Sequence, residues 1–340
     1  MALSLPKFDY VTVKTLEEAI AKLNENKGKA VLVAGGIDVL RLLKDRVLPP
    51  EGTALYRVGT PFNPQILIDL KGIPGLEYIK EEGGMLKIGA LTKIADVAKS
   101  SIVKSKYVAL ADAARNCAKP EIRNAATVAG NLCQEVHCWY FRYPHHVGGR
   151  IKCLRKGGDL CYSSVGDNRY HSIFGGPDGC YAPHSSDLAP VLIAFGASVV
   201  TTKKTIPLEN FYNTKMPITV LEPDEIVKEI QVPTPTSGTK SAYQKVAMRK
   251  AVAFPIVNVG CTLTVEGGVV KDARIVLGRV FPKPWRSTAA EDAIKGKAID
   301  DANAEAAGVA AVAKAVPLTN NDYKKQIAKT LVKRAILACK

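Results

Sequence analysis

The stretch AVLVAGGIDVLRLLK, residues 30–44, sets the reading of the whole chain. Its apolar opening reads as a short buried strand, Gly35 and Gly36 as a turn, and the remainder as a helix. A strand that ends in two glycines and feeds a helix leaves backbone N–H groups free at the helix start, with no side chain to block close approach. That geometry suits a pyrophosphate. The stretch is neither a G-x-G-x-x-G fingerprint nor a P-loop, and Gly-Gly before a helix is also an ordinary tight turn, so the residues leave both readings open.

The preceding segment TLEEAIAKLNENKG (15–28) carries a capping box, Thr15 with Glu18, an apolar stripe at Leu16, Ala19, Ile20 and Leu23, and Gly28 as a stop. It predicts a helix and makes the N-terminal pattern βαβα-like. Downstream, ILIDL (66–70) and a hairpin EYIKEEGGMLKIG (77–89) turning at Gly83 and Gly84 read as strands, and IADVAKS and YVALADAARNCA as helices. SSDLAPVLIAFGASVV predicts a short helix and a strand. VPTPTSGT (232–239) reads as a linker or long turn, followed by about three strands with a hairpin at Gly267 and Gly268 and by two terminal helices.

A second small-residue segment, RNAATVAGN (123–131), permits close backbone approach around Thr127, Gly130 and Asn131 and supplies a hydroxyl and an amide. It reads equally as a packed turn or as an anion cradle. Two such candidates in one chain point towards a large phosphorylated cofactor.

The length of 340 residues allows two or three domains with sizeable cores, and an apolar fraction of 47% excludes disorder as the default. A net charge of +15 invites a nucleic-acid or anionic-membrane reading, but the basic residues are scattered, without a run of five or six. The N-terminus lacks a signal-peptide pattern, and the most apolar stretch, 188–200, is too short to span a bilayer; both predict a cytoplasmic protein.

In a reducing compartment, clustered cysteines bind metal or do redox chemistry. Residues 133–184 hold five of the eight cysteines and all five histidines. Cys138, Cys153, Cys161 and Cys180 are separated by 14, 7 and 18 residues, without the C-x-x-C pairs of zinc ribbons. The segment is polar and glycine-rich, so it lacks the apolar burial to order itself, and a bound metal centre would supply the anchor. Four thiolates can hold zinc or an iron–sulfur cluster, and the spacing does not choose between them. The histidines, including His145 and His146, read as surface or supporting residues. Cys117, Cys261 and Cys339 read as small buried apolar residues.

Taken in order, VAGGIDVLRLLK, ILIDLKGIPGLEYI with LKIGALTKIADV, EIRNAATVAGNLC, SSDLAPVLIAFGASV and VFPKPWRSTAAEDAIKGK resemble the FAD-binding (medium) subunit of the molybdenum hydroxylases, the family of xanthine dehydrogenase and aerobic carbon monoxide dehydrogenase. The resemblance covers essentially the whole chain. It implies an α+β protein: a two-lobed FAD-binding domain of the vanillyl-alcohol-oxidase/PCMH type, with lobes at 1–55 and 56–228, then a smaller α/β domain of the CO dehydrogenase flavoprotein type at 229–340. It also implies that Val33, Ala34, Gly35, Gly36, Ile37 and Asp38, with Asn124, Thr127, Gly130 and Asn131, hold the FAD pyrophosphate, that Asp187 binds flavin or ribityl groups, and that Lys245 lies near the isoalloxazine.

The cysteine insert resembles that of the β subunit of 4-hydroxybenzoyl-CoA reductase, which implies a four-iron four-sulfur cluster on Cys138, Cys153, Cys161 and Cys180, with Cys133 as the first substitute. Three departures stand out: Ile37 where relatives usually carry Thr or Ser, Ala129 for a frequent Gly, and Ala253 near the place of a usual acidic residue. No catalytic residue is identifiable, as expected of an electron-relay subunit. The resemblance implies a small two-iron-cluster subunit and a large molybdopterin subunit as partners, in a dimer of heterotrimers. A basic surface adds ferredoxin as an external partner. The rival reading is a basic zinc-binding nucleic-acid module, supported by RYPHHVGGRIKCLRK.

Overall fold

The computed structural model describes residues 5–45, 47, 64–143, 151–215, 217–250 and 252–340. Among the described residues three sheets, each with its own apolar core, organise the fold.

The first sheet is parallel, ordered β1 (Asp9–Thr12), β3 (Ile66–Asp69), β2 (Ala30–Val33). Parallel neighbours need a crossover, and the helix Leu16–Glu25 supplies it between β1 and β2. The expected capping box forms: Thr15 Oγ1 accepts from Glu18 N at 3.1 Å, while the Glu18 carboxylate takes the N–H of Lys14 rather than that of Thr15. Every residue of β3 is buried, as a central strand requires. β2 then runs into Gly36, whose φ of 73° is left-handed, and this residue caps the helix Ile37–Lys44.

The second sheet is antiparallel, with β4 (Ile79–Glu82), β5 (Met85–Gly89), β6 (Ser198–Thr201), β7 (Thr205–Pro207) and β8 (Val227–Pro233) in the order β4-β5-β8-β6-β7. The hairpin turns at Gly83 and Gly84, both at positive φ, as a two-residue turn between twisted strands demands. The helices Val108–Asn116 and Leu188–Ala194 pack with Leu86, Ile88 and Ile230 into the largest core. β8 sits between β5 and β6, with Ile230 opposite both Ile88 and Val199.

The third sheet comprises β9 (Thr239–Ala247), β10 (Pro255–Glu266), β11 (Val269–Gly278) and β12 (Trp285–Arg286), joined in the order β12-β11-β10-β9 and covered by the helices Thr288–Ile294, Asp301–Val312 and Tyr323–Leu337. The apolar side chains of these helices meet Val259, Leu263 and Ile275 in a separate core. The segment read as a linker shortens to 234–238, because β8 continues through Pro233 and β9 starts at Thr239. The lobe boundary drawn at residue 55 falls before β3, which belongs to the first sheet, and the one at 228 falls inside β8. In both cases long-range pairing, invisible to local periodicity, places the strand. Among the described residues no helix is long and apolar enough to cross a membrane.

Candidate cofactor cavity and cysteine cluster

A cavity of about 940 Å³ opens between the three units, near the upper end of the range for small-molecule and cofactor sites, roughly 300–1,000 Å³. One wall is the glycine turn. A methyl group on Gly35 would stand 2.2 Å from Ala125 O and 2.9 Å from Ala126 Cα, so the turn and the segment before Thr127 touch backbone to backbone. Gly36 brings no side chain to cap the first turn of Ile37–Lys44, whose N–H groups face the needs of any helix start. Thr127 Oγ1 accepts from Gly130 N at 3.2 Å and holds the next segment in place.

The opposite end is polar. Asp187, buried at the start of Leu188–Ala194, lies 2.9 Å from Lys245 Nζ and accepts from Tyr243 OH. Burial pushes the Asp187 carboxyl up, against the pull of the Lys245 ammonium and the Tyr243 hydrogen bond. Beside it Ser186 Oγ donates to Asn131 Oδ1 at 2.5 Å, and Asn131 Nδ2 lies 3.8 Å from Cys117 Sγ. Burial, then the Asp187 charge, raise the Cys117 thiol far above its usual range.

Of the residues expected at the cofactor, Ala34, Gly35, Gly36, Ile37, Asp38, Thr127, Gly130, Asn131 and Asp187 line the cavity. Val33, Asn124 and Lys245 do not line it, and Lys245 reaches it only through Asp187. Asp38 is turned towards the cysteine insert: its carboxylate accepts from Glu135 N at 2.9 Å and Arg142 Nη2 at 2.6 Å. Among the described residues three non-glycine residues hold positive φ: Ala118 (48°), Val252 (54°) and Arg279 (66°). The first two line the cavity, and Arg279 Nη1 donates to Ser185 Oγ, which also lines it, so the backbone strain gathers at this site.

The insert forms the third wall, through His137, Trp139 and Arg142 among others. Behind that wall Cys138, Cys153 and Cys180 share one buried apolar cluster, and Cys161 hydrogen-bonds Cys180. Nearby backbone N–H groups pull each thiol down against burial: Phe141 and Tyr140 at Cys138, Arg155 and Lys156 at Cys153, Tyr181 and Ser163 at Cys161, and Ala182 at Cys180. Four separate turns are thus folded so that N–H groups favour a thiolate. Burial still pushes the free Cys138 thiol up to about 12, whereas the Cys180 hydrogen bond brings Cys161 down to about 6. Arg155 Nε stands 3.1 Å from Cys180 Sγ, and His171 Nε2 3.2 Å from Cys138 Sγ.

Cys133, the expected substitute, faces the cavity and packs on the second core, away from this group. His145 and His146 lie outside the described residues. Cys261 and Cys339 are fully buried in the third core as expected, while Cys117 is both buried and part of the cavity wall. Among the described residues no group of three or more His, Cys, Asp or Glu side chains is placed to hold a metal ion. The structure therefore does not gather the expected ligands Cys138, Cys153, Cys161 and Cys180 as a metal site.

The pattern described as the FAD binding domain in molybdopterin dehydrogenase matches residues 6–235, two thirds of the chain. The chain belongs to this flavoprotein family. The CO dehydrogenase flavoprotein C-terminal domain follows at residues 241–339. The chain is 32% identical, over 95% of each sequence, to the FAD-binding subunit of an aldehyde oxidoreductase from Escherichia coli. It is 29% identical, over 98% of itself and 97% of the relative, to the carbon monoxide dehydrogenase medium chain of Hydrogenophaga pseudoflava. A solved structure of carbon monoxide dehydrogenase from Hydrogenophaga pseudoflava, lacking the Mo-pyranopterin moiety, superposes with a TM-score of 0.74 at 28% identity, covering 99% of this chain and 98% of that one. The molecule is therefore the FAD-binding medium subunit of a molybdenum-dependent dehydrogenase, and a cavity whose backbone cradle any Cβ at Gly35 would fill fits a flavin dinucleotide. Membership of this family removes the ground for the zinc-binding nucleic-acid reading.

Sequence reasoning did not find Arg142, Glu135, His137, Trp139, Tyr243 or Arg279 at the site. Each is brought there by contacts across tens of residues, and none carries a local motif.

Proposed function

We propose that this subunit relays electrons between its FAD, a four-iron four-sulfur cluster on Cys138, Cys153, Cys161 and Cys180, and the other subunits of a molybdenum enzyme. The supporting observation is adjacency. Trp139 lines the cavity, its ring stands 5.6 Å from His171, and His171 Nε2 is 3.2 Å from Cys138 Sγ. When bound, the flavin takes one or two electrons and the cluster one at a time, so the pair suits a carrier without a substrate site.

In this reading the turn Ala34–Asp38 and the Thr127–Asn131 segment hold the diphosphate, and Asp187, held by Lys245 and Tyr243, meets the polar end of the flavin. Val33 is the buried end of β2 that leads into this turn, and Asn124 ends the helix Pro120–Arg123 that leads into the second segment. The four N–H-supported sulfurs hold the cluster, and Arg155 and the buried Arg279 balance its negative charge. Among the described residues Arg279 has neutral oxygens as its hydrogen-bond acceptors, Pro255 O and Ser185 Oγ, and a buried cation so placed favours an anionic neighbour. The relatives' descriptions as a medium chain and an FAD-binding subunit support partner subunits; in this reading they are a large molybdopterin subunit and a small iron–sulfur subunit, in a dimer of heterotrimers. The four-cysteine insert favours a 4-hydroxybenzoyl-CoA-reductase-like complex. The +15 charge favours an acidic external partner such as ferredoxin.

The test is the absorption spectrum and the iron and sulfide content of the chain purified without oxygen. A flavin band with a broad brown shoulder, and about four irons per chain lost on Cys→Ser change at any of the four positions while FAD stays, is the expected result. A yellow, iron-free protein would refute the cluster and leave a simple flavin subunit.

A further inference from the structure

The geometry points to Arg142, on the cysteine insert, as a phosphate-binding residue of the flavin cavity, reaching across from the insert to the glycine turn. The inference rests on the reading that this cavity holds the FAD diphosphate. A guanidinium has five N–H donors in a fixed plane. In Arg142, Nε donates to Val136 O at 2.8 Å, and Nη2 donates to Asp38 Oδ1 at 2.6 Å and Glu135 O at 3.1 Å. Nη1 has no acceptor among the described residues, although the side chain is nine-tenths buried and lines the cavity. A buried charged group left one acceptor short among the described residues is costly, and an acceptor entering the cavity would remove that cost.

The location selects the kind of acceptor. Asp38 belongs to the first turn of the helix that starts at Gly36, so the guanidinium it holds lies next to the backbone cradle. A bare Asp38 carboxylate there would repel a diphosphate. Pairing with Arg142 cancels that charge and turns the remaining nitrogen into a donor. His137 Nε2, 3.5 Å from Asp38, lies closer to Gln134 Oε1, at 3.2 Å. The residue that neutralises Asp38 is thus also placed to bind the anion, as a planar fork suits phosphate oxygens.

A consequence follows for the whole subunit. Arg142 lies four residues beyond Cys138 and Cys138 O accepts from Arg142 N at 2.9 Å, so the order of the cysteine insert and the affinity for FAD are linked, each favouring the other.

The experiment measures binding of FAD and of riboflavin, which lacks phosphate, to flavin-stripped full-length chain. Arg142→Met should weaken FAD by about tenfold or more, the worth of one hydrogen bond to a charged group, and leave riboflavin unchanged. Arg142→Lys, which keeps a cation for Asp38 but lacks the second nitrogen, should fold like the parent and also lose FAD relative to riboflavin. Full FAD affinity in both variants, or equal weakening of FAD and riboflavin, overturns the assignment. Gly36→Asp separates the two levels: if it leaves FAD affinity intact, the cavity reading itself has failed. If it abolishes FAD binding while both Arg142 variants bind normally, only Arg142 is wrongly assigned.

Discussion

The Asp187 carboxylate and the Lys245 ammonium lie 2.9 Å apart, one at the start of a second-lobe helix and the other on β9 of the C-terminal sheet. Both side chains are largely buried, so the pair locks the C-terminal domain onto the flavin lobe at the polar end of the cavity. Removing one partner leaves a buried charge uncompensated, at a cost of about 3–5 kcal/mol. Lys245→Met should therefore destabilise the chain by that order. Because burial raises the Asp187 carboxyl above its unfolded value of 3.8, its neutral form is the one the fold prefers. The loss in Lys245→Met should be small at acid pH and grow as pH rises through the raised Asp187 value. Thermal melts of variant and parent from pH 4 to 8 measure it; a pH-independent gap would contradict it.

Gly35 and Gly36 should respond differently to alanine. At Gly36 the penalty is conformational, since φ is 73° and the nearest atoms are the mobile side chains of Leu40 and Val33; about 1 kcal/mol is expected. At Gly35 the added methyl meets backbone at 2.2 Å, so Gly35→Ala must part the two loops that form the cradle. FAD should be lost from folded Gly35→Ala and retained, more weakly, by Gly36→Ala, as read from the flavin-to-protein absorbance ratio.

Thr127 acts through its hydroxyl, which accepts from Gly130 N. Thr127→Val should cost about 1 kcal/mol in denaturant unfolding, the usual worth of such a cap, and weaken FAD, whereas Thr127→Ser should match the parent. Equal behaviour of Val and Ser would remove the hydroxyl from the account.

In metal-free protein the cysteines proposed as cluster ligands should differ in reactivity. The hydrogen bond from Cys180 brings the Cys161 thiol to about 6, while burial pushes Cys138 to about 12 and raises Cys153. Thiolate is the nucleophile, so iodoacetamide should label Cys161 first, with a rate that rises through about pH 6 and levels off. Mass mapping after short exposures between pH 5 and 8 reads this directly. Uniform labelling of the four would show that the Cys161–Cys180 hydrogen bond does not persist in solution.

Local sequence determined much of the architecture because the relevant forces act within a few residues. Thr15 and Glu18 start a helix, Gly83-Gly84 and Gly267-Gly268 turn hairpins, and the glycines after β2 open a helix start, since capping, positive φ and the missing Cβ are local physics. Tertiary structure alone decided how these pieces meet. β3 enters the middle of the first sheet and β8 the middle of the second by pairing across long stretches of chain. Asp38, read as a cofactor residue, is held by Arg142 from 104 positions away, and Lys245 touches the cavity only through Asp187. Such contacts depend on burial and charge balance summed over the packed molecule, a property that no window of neighbouring residues contains.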